Sequence, residues 1–177
     1  KFEELANMMG GALGDMVAPL PPQMRAMRDP FNEGVIAEWY DPDFDDRDWK
    51  PLSTYFISNV EDKPLDERGI GYSGHRWYRG NFTVPVRFEN KPVHFWCGGA
   101  LNEAWIWVNG EYAGHHEYRE EWHPYGFNVD VSEFVKPGKQ NKIAIRVWNN
   151  SNLGGLYQRG FFWSPKKDIA FEDMLFY

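Results

Sequence analysis

The sequence predicts an all-β fold, an antiparallel sandwich or barrel, preceded by a short helical segment. Ala104, Ile106 and Val108 alternate with outward residues just before Asn109-Gly110, a dipeptide that suits the positive φ angles of a hairpin turn. From about residue 30 onward, short strand-like runs are separated by turns, and no long helical pattern lies between them. Short strands joined by turns are typical of antiparallel sheets rather than of alternating β and α units.

The individual strands are predicted from alternating apolar residues bounded by Gly, Pro, Asn and Asp. Ile143, Ile145 and Val147 give the clearest alternation, and Phe127, Val129 and Val131 give a similar one. A single helical turn is predicted over residues 132–138, where Pro and Gly end it. In chain order the predicted strands are Thr54–Ser58, Arg76–Val84, Pro92–Gly98, Glu103–Val108, Tyr112–Glu117, Gly126–Val131, Lys142–Trp148, Tyr157–Trp163 and Ile169–Phe176.

Residues 1–29 are predicted to form a helical N-terminal extension, separate from a sandwich domain over residues 30–177. The apolar residues of this segment recur at helical spacing, and the prolines at 19, 21 and 22 interrupt the pattern. Five of the six Met residues lie in this segment. It either packs on its own domain or forms a Met-rich partner groove. The residues at helical spacing are Leu5, Met8, Met9, Leu13, Met16 and Val17.

Composition excludes several classes of function. The formal net charge of −7 argues against a nucleic-acid partner, which is bound through Lys and Arg. No apolar run approaches the ~20 residues that cross a bilayer, so no membrane partner is expected. The single cysteine, Cys97, lies in a strand-like run and is expected to be a buried apolar side chain rather than a nucleophile. No cofactor is expected.

The segment from His115 to His123 combines rings with hydrogen-bonding groups and leaves several interpretations open. A metal site is disfavoured because His115 and His116 are adjacent and point to opposite sides of a strand. Glu120 and Glu121 meet the same objection as an acid/base pair, since a glycosidase needs two carboxyls that face each other. The third interpretation is sugar binding, and the fourth is a solvated loop whose Trp122 covers the core. The candidate sugar contacts are Trp122, Tyr118, His116, Glu117 and Arg119.

A second candidate segment runs from Trp148 to Arg159 and is rich in side-chain amides. Amides both donate and accept hydrogen bonds, as sugar hydroxyls do, but Asn-Ser-Asn-Gly runs are also ordinary turns. The segment from Tyr72 to Arg76 enters a strand and is expected to reach the same end of the sandwich. The further sugar-binding candidates are Asn149, Asn150, Asn152, Tyr157, Arg159, His75 and Tyr72.

Two other features of the sequence each allow more than one interpretation. Trp105 and Trp107 share the sheet face opposite Ala104, and Trp96 and His94 are candidates for the same face. These rings either form an exposed platform for a long polysaccharide or are covered by the Met-rich segment. The acidic run from Asp41 to Asp46 leaves structural calcium open, although it lacks the Gly and the distal Glu of an EF-hand.

Several motifs, in a shared order, resemble one known family over roughly residues 30–177. The strand Trp77–Pro85 resembles the "W-Y-R…F-x-V-P" strand of the N-terminal sugar-binding domain of family-two glycoside hydrolases, the β-galactosidase and β-glucuronidase group. The other motifs similar to that family are Trp39-Tyr40 with Asp43–Trp49, Gly98-Gly99-Ala100, the Ala104–Gly110 hairpin, Trp122–Phe127 with Asp130-Val131, Pro137-Gly138 before Asn141–Val147, and Gly154–Arg159.

The resemblance implies a galactose-binding-like jelly roll with two antiparallel sheets. It implies a non-catalytic module, because catalysis in that family belongs to a separate barrel domain. Family β-galactosidases also use an acidic or amide residue just after the "V-R-V" strand to touch sugar, and Asn149 or Asn150 falls there. We therefore expect a carbohydrate-binding module of a larger, extracellular or periplasmic polysaccharide-degrading enzyme, with an oligo- or polysaccharide and a covalently linked catalytic domain as partners. The alternative is a structural domain that braces its neighbour and binds no glycan.

Overall fold

The computed structural model of the chain describes residues 13–55, 72–117, 126–150 and 155–166. Within these ranges the strands form two antiparallel sheets, so the predicted all-β antiparallel sandwich is confirmed. The four-stranded sheet has the order β1 (Gly14–Pro19), β10 (Gly155–Pro165), β5 (His94–Leu101) and β8 (Phe127–Asp130). The six-stranded sheet has the order β3 (Lys50–Ser53), β2 (Gln23–Asp29), β4 (Gly74–Thr83), β9 (Gln140–Asn149), β6 (Glu103–Val108) and β7 (Glu111–His116).

The apolar core lies between the two sheets. Ile143, Ile145 and Val147 of β9 are all 0% exposed, as their alternation predicts. Phe82 of β4 and Phe162 of β10 stack with ring centroids 3.7 Å apart and so join the two layers. A short 3-10 helix, Val86–Phe88, follows β4 and places Phe88 against the same core. The apolar face of each sheet is thereby removed from water, the main stabilising term of such a fold.

The predicted hairpin at Asn109-Gly110 is confirmed. Both residues have positive φ, 53° and 88°, as a tight turn between β6 and β7 requires. The amide of Asn109 holds the turn in place: Nδ2 donates to the Phe134 carbonyl at 2.7 Å and Oδ1 accepts the Lys142 N–H at 3.0 Å. Within β6, Ala104, Ile106 and Val108 point into the core at 0% exposure.

The predicted N-terminal helix is wrong for residues 14–29. These residues form β1, which pairs with β10, and β2, which lies between β3 and β4. Met24 and Ala26 alternate into the core, a period-two signal that the helical spacing of the earlier Met residues hid. The strand conformation overrides that spacing because it buries Met24 and Ala26 in the core between the two sheets. Leu5, Met8 and Met9 lie outside the described residues.

The other predicted elements mostly fall close to the observed strands. Of the strand predicted at Thr54–Ser58, only Thr54 and Tyr55 are described. They form a bend after β3 (Lys50–Ser53), where the Thr54 hydroxyl donates to the Pro21 carbonyl at 2.7 Å, and residues 56–58 lie outside the described ranges. Residues 132–134 form a turn closed by the Val135 N–H, which donates to the Val131 carbonyl at 3.2 Å. The strand predicted at Ile169–Phe176 lies outside the described residues. No helix in the described ranges is long and apolar enough to span a bilayer.

The outer face of the six-stranded sheet is covered by residues 30–49, here called the cover segment. Tyr40 stacks on Trp107 at 5.4 Å, and Trp39 lies 5.2 Å from Trp49 and 6.2 Å from Trp77. For the described residues 13–29, the prediction that the Met-rich segment covers these rings is therefore wrong in its main contacts, although Met27 packs against the same cluster. The cover segment immediately follows β2 and supplies more aromatic surface to this sheet face than the Met-rich segment does.

Candidate functional site

Several predicted binding residues lie at one end of the sandwich, here called the loop end. Gly74, at the start of β4, pairs with Asn149, at the end of β9. In the other sheet, Gly155 pairs with Leu101. The two sheets are linked at this level by Asn102, whose N–H donates to the Trp148 carbonyl at 2.7 Å. The antiparallel order thus gathers segments that are far apart in the sequence.

Sheet register sets a row of side chains on the core-facing side of the loop end. Ala104 and Val147 belong to the core, so the residues paired with them face the same way. In sheet order the row is His116, Ala104, Val147, Arg76 and Arg28, each paired with the next. Adjacent strands are about 4.8 Å apart, so His116 and Arg76 are separated by about 15 Å. The row therefore places an imidazole and two guanidinium groups around small apolar residues.

The Tyr72 ring lies close to both arginines of this row. The Cζ atom of Arg28 is 5.0 Å from the Tyr72 ring centroid, and that of Arg76 is 5.3 Å from it. Arg76 is only 1% exposed, whereas Arg28 is exposed. Burial raises the pKa of Tyr72, and the positive charge of Arg76 partly opposes that rise. The phenol therefore remains a neutral hydrogen-bonding group at physiological pH.

Asn149 is the most unusual polar residue at the loop end. It is 1% exposed, yet neither Nδ2 nor Oδ1 has a hydrogen-bond partner among the described residues. A buried amide without partners costs about 1–3 kcal/mol, so such groups are rare in folded proteins. Asn149 is a diagonal neighbour of Arg76 across the β4–β9 pairing. Arg28, Tyr72, Arg76 and Asn149 are called the loop-end cluster below.

The remaining predicted contacts are dispersed around the cluster. The His116 ring stacks on Phe127 at 4.6 Å, and the Asn150 N–H donates to Asn102 Oδ1 at 3.1 Å. Glu117 is exposed beside His116. His75 points to the opposite sheet face, 6.0 Å from the Trp105 ring. Tyr118, Arg119, Trp122 and Asn152, together with Glu120 and Glu121, lie outside the described residues.

Two predicted contacts on β10 have structural neighbours of their own. Burial, with a smaller contribution from nearby Cys97, raises the pKa of Tyr157 to about 12, and the Tyr157 ring lies against Gly99. The Cζ atom of Arg159 is 3.8 Å from the Tyr55 ring centroid. Arg159, which lies on β10 below the loop end, is therefore held against the Tyr55 ring.

The proposed aromatic platform is not open as a whole. Trp107 is 7% exposed beneath Tyr40, whereas Trp105 is half-buried between the His115 ring at 5.0 Å and the Arg146 Cζ at 4.6 Å. Trp96 belongs to the other sheet. His94, on that sheet too, packs against Trp163 and contacts Asn128. The prediction that Trp96 and His94 join the face of Trp105 is therefore wrong, because β5 pairs with β10 and β8 rather than with β6.

Three carboxylates of the Asp41–Asp46 run each accept hydrogen bonds from separate partners. Asp46 accepts from Arg79 at 2.8 Å, Asp45 accepts from Arg47, and Asp41 caps the Asp43 N–H at 2.7 Å. Among the described residues, no group of three or more His, Cys, Asp or Glu side chains is placed to hold a metal ion. His115 is bonded to Glu103 Oε1 at 2.7 Å and points away from His116.

Arg28 and Arg76 were not among the predicted site residues. A usable signal for Arg76 exists in the sequence, because the inward position of Tyr78 places Arg76 on the apolar face of the same strand. A charged residue on an apolar strand face indicates either a buried ion pair or a binding site. Arg28 had no such signal, since it lies in the segment that was predicted to be helical.

The fold and this end cluster define a β-sandwich domain with a polar, loop-bearing end. The chain belongs to the family described as the beta-galactosidase second all-beta domain, whose family model matches residues 33–152. The relationship to the family-two glycoside hydrolases that the motifs indicate is thereby confirmed. The assignment to the N-terminal sugar-binding domain of that group stays a prediction.

Individual relatives agree with this family. A β-glucuronidase of Paenibacillus borealis is 29% identical over 129 residues, which are 72% of this chain and 20% of the relative. A β-galactosidase of Thermoanaerobacter pseudethanolicus is 36% identical over 72 residues, or 40% of this chain and 9% of the relative. The solved β-glucuronidase of Ruminococcus gnavus in complex with D-glucuronic acid superimposes with a TM-score of 0.69 at 18% identity, over 85% of this chain and 29% of that one. The chain thus spans less than a third of the length of these relatives.

Proposed function

We propose that this chain is a non-catalytic, carbohydrate-binding domain of a polysaccharide-degrading glycoside hydrolase, and that it holds glycan near a covalently linked catalytic domain. Tethering raises the effective concentration of substrate without any new catalytic group. The proposed location is extracellular or periplasmic, where polysaccharides are found. Relatives named β-glucuronidase and β-galactosidase support the sugar as the class of ligand.

The observation that carries the proposal is the buried, unpartnered amide of Asn149. Both hydrogen-bonding atoms of this side chain are left without partners among the described residues, and the residue is a diagonal neighbour of Arg76. Sugar hydroxyls both donate and accept, so one hydroxyl-bearing ring would satisfy both atoms. Relief of this desolvation cost on binding favours a polar ligand over an apolar one. Because the loop-end cluster offers few contacts to a sugar, the expected dissociation constant is roughly micromolar to millimolar.

The test compares two asparagines at opposite ends of β9. Asn149→Leu removes the unpartnered amide, and we expect it to abolish glycan binding while leaving the melting temperature unchanged or raised. Asn141→Leu is the matched control, because its buried amide accepts the Lys136 N–H at 2.7 Å and donates to Lys139 O at 3.0 Å. We expect this control to lose about 2 kcal/mol of stability and to keep its affinity.

Binding is measured by calorimetric titration of the 177-residue chain against galactose, glucuronic acid and a panel of plant and algal polysaccharides. Unchanged affinity in Asn149→Leu removes that amide from the binding site. The absence of binding to any member of the panel contradicts the carbohydrate-binding proposal itself.

A second candidate function is a domain that braces its neighbour without binding glycan. It is favoured by an apolar patch on the cover segment, where Phe31 is 81% exposed, Ile36 87% and Val35 39%. Contiguous exposed apolar side chains mark interaction surfaces. Absence of binding to every glycan of the panel would favour this function if an Ile36→Ser variant also associated more weakly with the rest of the enzyme.

A further inference from the structure

The edge strand β7 contains a bulge that brings two rings to the same face of the six-stranded sheet. Its register against β6 shifts by one residue at Ala113. In a regular strand Tyr112 and His115 would point to opposite faces, because they are an odd number of positions apart. With the extra residue between them, both face outward, opposite Trp107 and Trp105 of β6. Bulges that re-aim side chains in this way are over-represented next to functional sites.

Both rings are fixed by their neighbours on β6. The His115 ring stacks on Trp105 with centroids 5.0 Å apart, and its Nε2 atom is bonded to Glu103 Oε1 at 2.7 Å. The Tyr112 ring meets the Trp107 ring edge-on, with centroids 5.7 Å apart. Tyr112 is nevertheless 52% exposed, and the His115 side chain is 31% exposed. Both side chains are therefore accessible to a ligand and lose little freedom when it binds.

We propose that Tyr112 and His115, here called the edge strip, bind the continuing chain of an uncharged polysaccharide that has one of its sugars held at the loop end. The proposal rests on the glycan-binding function above and specifies its ligand as a polymer rather than a single sugar. Aromatic rings pack on the apolar C–H faces of sugars and leave the hydroxyls free to form hydrogen bonds. Two such contacts add to the affinity of the loop end but do not replace it.

The edge strip begins at the loop end and runs towards the turn between β6 and β7. His115 directly precedes His116, which belongs to the row at the loop end. Trp105 and Trp107 are two residues apart on β6, so the rings opposite them are separated by about 7 Å along the strand. A chain of linked sugars can contact both rings, whereas a single sugar contacts one at a time.

The charges around the edge strip favour an uncharged ligand. Glu103 lies beside His115, and Glu111 is exposed at the start of β7. The Arg146 guanidinium packs on Trp105, but the residue is only 8% exposed. With the net charge of −7, the two carboxylates repel an acidic polymer. Carboxylates also accept hydrogen bonds from hydroxyl groups, which every neutral sugar carries.

Pairing with a protein strand is disfavoured at this edge. Among the described strands, β7 is the last of its sheet, a position where a strand of another chain can add. The bulge at Ala113 interrupts the regular spacing of backbone N–H and C=O groups that such pairing needs. The surface is therefore better suited to stacking on its rings than to backbone pairing.

The test titrates the 177-residue chain with galactose, with two neutral polymers (a galactomannan and a β-glucan) and with the acidic polymer polygalacturonate. We expect a neutral polymer to bind more tightly than either galactose or polygalacturonate. In Tyr112→Ala and in His115→Ala, the affinity for that polymer falls about three- to tenfold, the loss expected for one aromatic contact. The affinity for galactose is unchanged in both variants. Tyr112→Phe keeps the ring and therefore keeps the affinity for the polymer.

Val86→Ala is the matched control for the loss of an exposed apolar side chain. Val86 is 63% exposed on the 3-10 helix that follows β4, outside the edge strip, so we expect this variant to keep its affinity for the polymer. Melting temperatures of all variants are expected to match the wild type, because the truncated side chains are exposed.

Two results would overturn the edge strip and leave the loop-end proposal standing. The first is a polymer affinity that is unchanged in both Tyr112→Ala and His115→Ala, and altered sedimentation of these variants would then assign the surface to a protein contact. The second is tighter binding of polygalacturonate than of the neutral polymers. No binding of any of the four probes overturns the edge strip and the glycan-binding function together.

Discussion

His75 shows how a single residue couples the loop end to pH. Burial, reinforced by the positive charge of Arg146 and opposed by Asp29, lowers the pKa of His75 from 6.5 to about 4. The ring lies between Trp105 and Trp148, at centroid distances of 6.0 and 6.4 Å. In the unfolded chain the imidazole returns to its ordinary pKa. Between pH 6.5 and about 4, the unfolded state therefore binds more protons than the folded state.

This difference predicts that the chain loses stability as the pH falls through that interval. His75→Gln removes the titrating group. We therefore expect the melting temperature to fall less between pH 7 and pH 5 in the variant than in the wild type. Thermal melts at the two pH values measure this, and comparing the two changes cancels any pH-independent effect of the substitution. The pKa of His94 is also lowered by burial, so we expect the variant to keep a smaller dependence of the melting temperature on pH. A variant with the full wild-type pH dependence would contradict the assignment.

The cover segment is the element that closes the outer face of the large sheet. Its attachment depends on Arg79, whose side chain is fully buried and donates to Asp46 Oδ2 at 2.8 Å and to the Asp41 carbonyl at 2.8 Å. Arg79 also donates to the Trp39 carbonyl. One guanidinium thus satisfies backbone groups that a chain without regular secondary structure would otherwise bury unpaired. We expect the aromatic contacts of Trp39 and Tyr40 to depend on this anchor.

Arg79→Met is expected to destabilise the chain by about 3–5 kcal/mol, because it leaves the carbonyls and Asp46 without their partner. Urea denaturation followed by tryptophan fluorescence measures the loss, and a red-shifted native spectrum would report exposure of Trp107. Arg47→Gln serves as the control. Its ion pair with Asp45 joins side chains that are 85% and 58% exposed, so no measurable change is expected. Equal effects of the two substitutions would show that Arg79 does not anchor the segment.

The two sheets of the molecule enclose an apolar core between them. Cys97 lies within it on β5, between β10 and β8, and is 0% exposed. Burial raises the pKa of its thiol to about 12, so the reactive thiolate is suppressed as well as shielded. The stacked Phe82 and Phe162 rings hold the sheets together nearby. A reagent therefore reaches the thiol only when the sandwich opens.

We predict that the free energy of opening measured by thiol labelling of Cys97 equals the free energy of global unfolding from a urea melt, which is about 5–15 kcal/mol for ordinary domains. Labelling is followed at pH 8 over a range of low urea concentrations. Labelling that requires much less free energy than the melt would show that the sheets separate locally without unfolding.

The candidate site could be predicted only in part. The sequence singled out Asn149 and Tyr72 as candidates because amides and aromatic rings suit sugars wherever they lie, and the family motifs directed attention to the end of β9. Arg28 and its opposition to Arg76 could not be found, because that contact depends on the register between β2 and β4. Composition carries no information about register.

Local alternation and the φ angles that a turn demands are enough to predict the class of fold, the Asn109-Gly110 turn and the inward positions of β6 and β9. No local pattern reveals that residues 14–29 are strands, that the cover segment packs on Trp107, or that Arg28, Arg76 and Asn149 gather at one end. These features arise because backbone pairing between distant segments outweighs local propensity. Partners that are far apart in the sequence then bury one another's side chains.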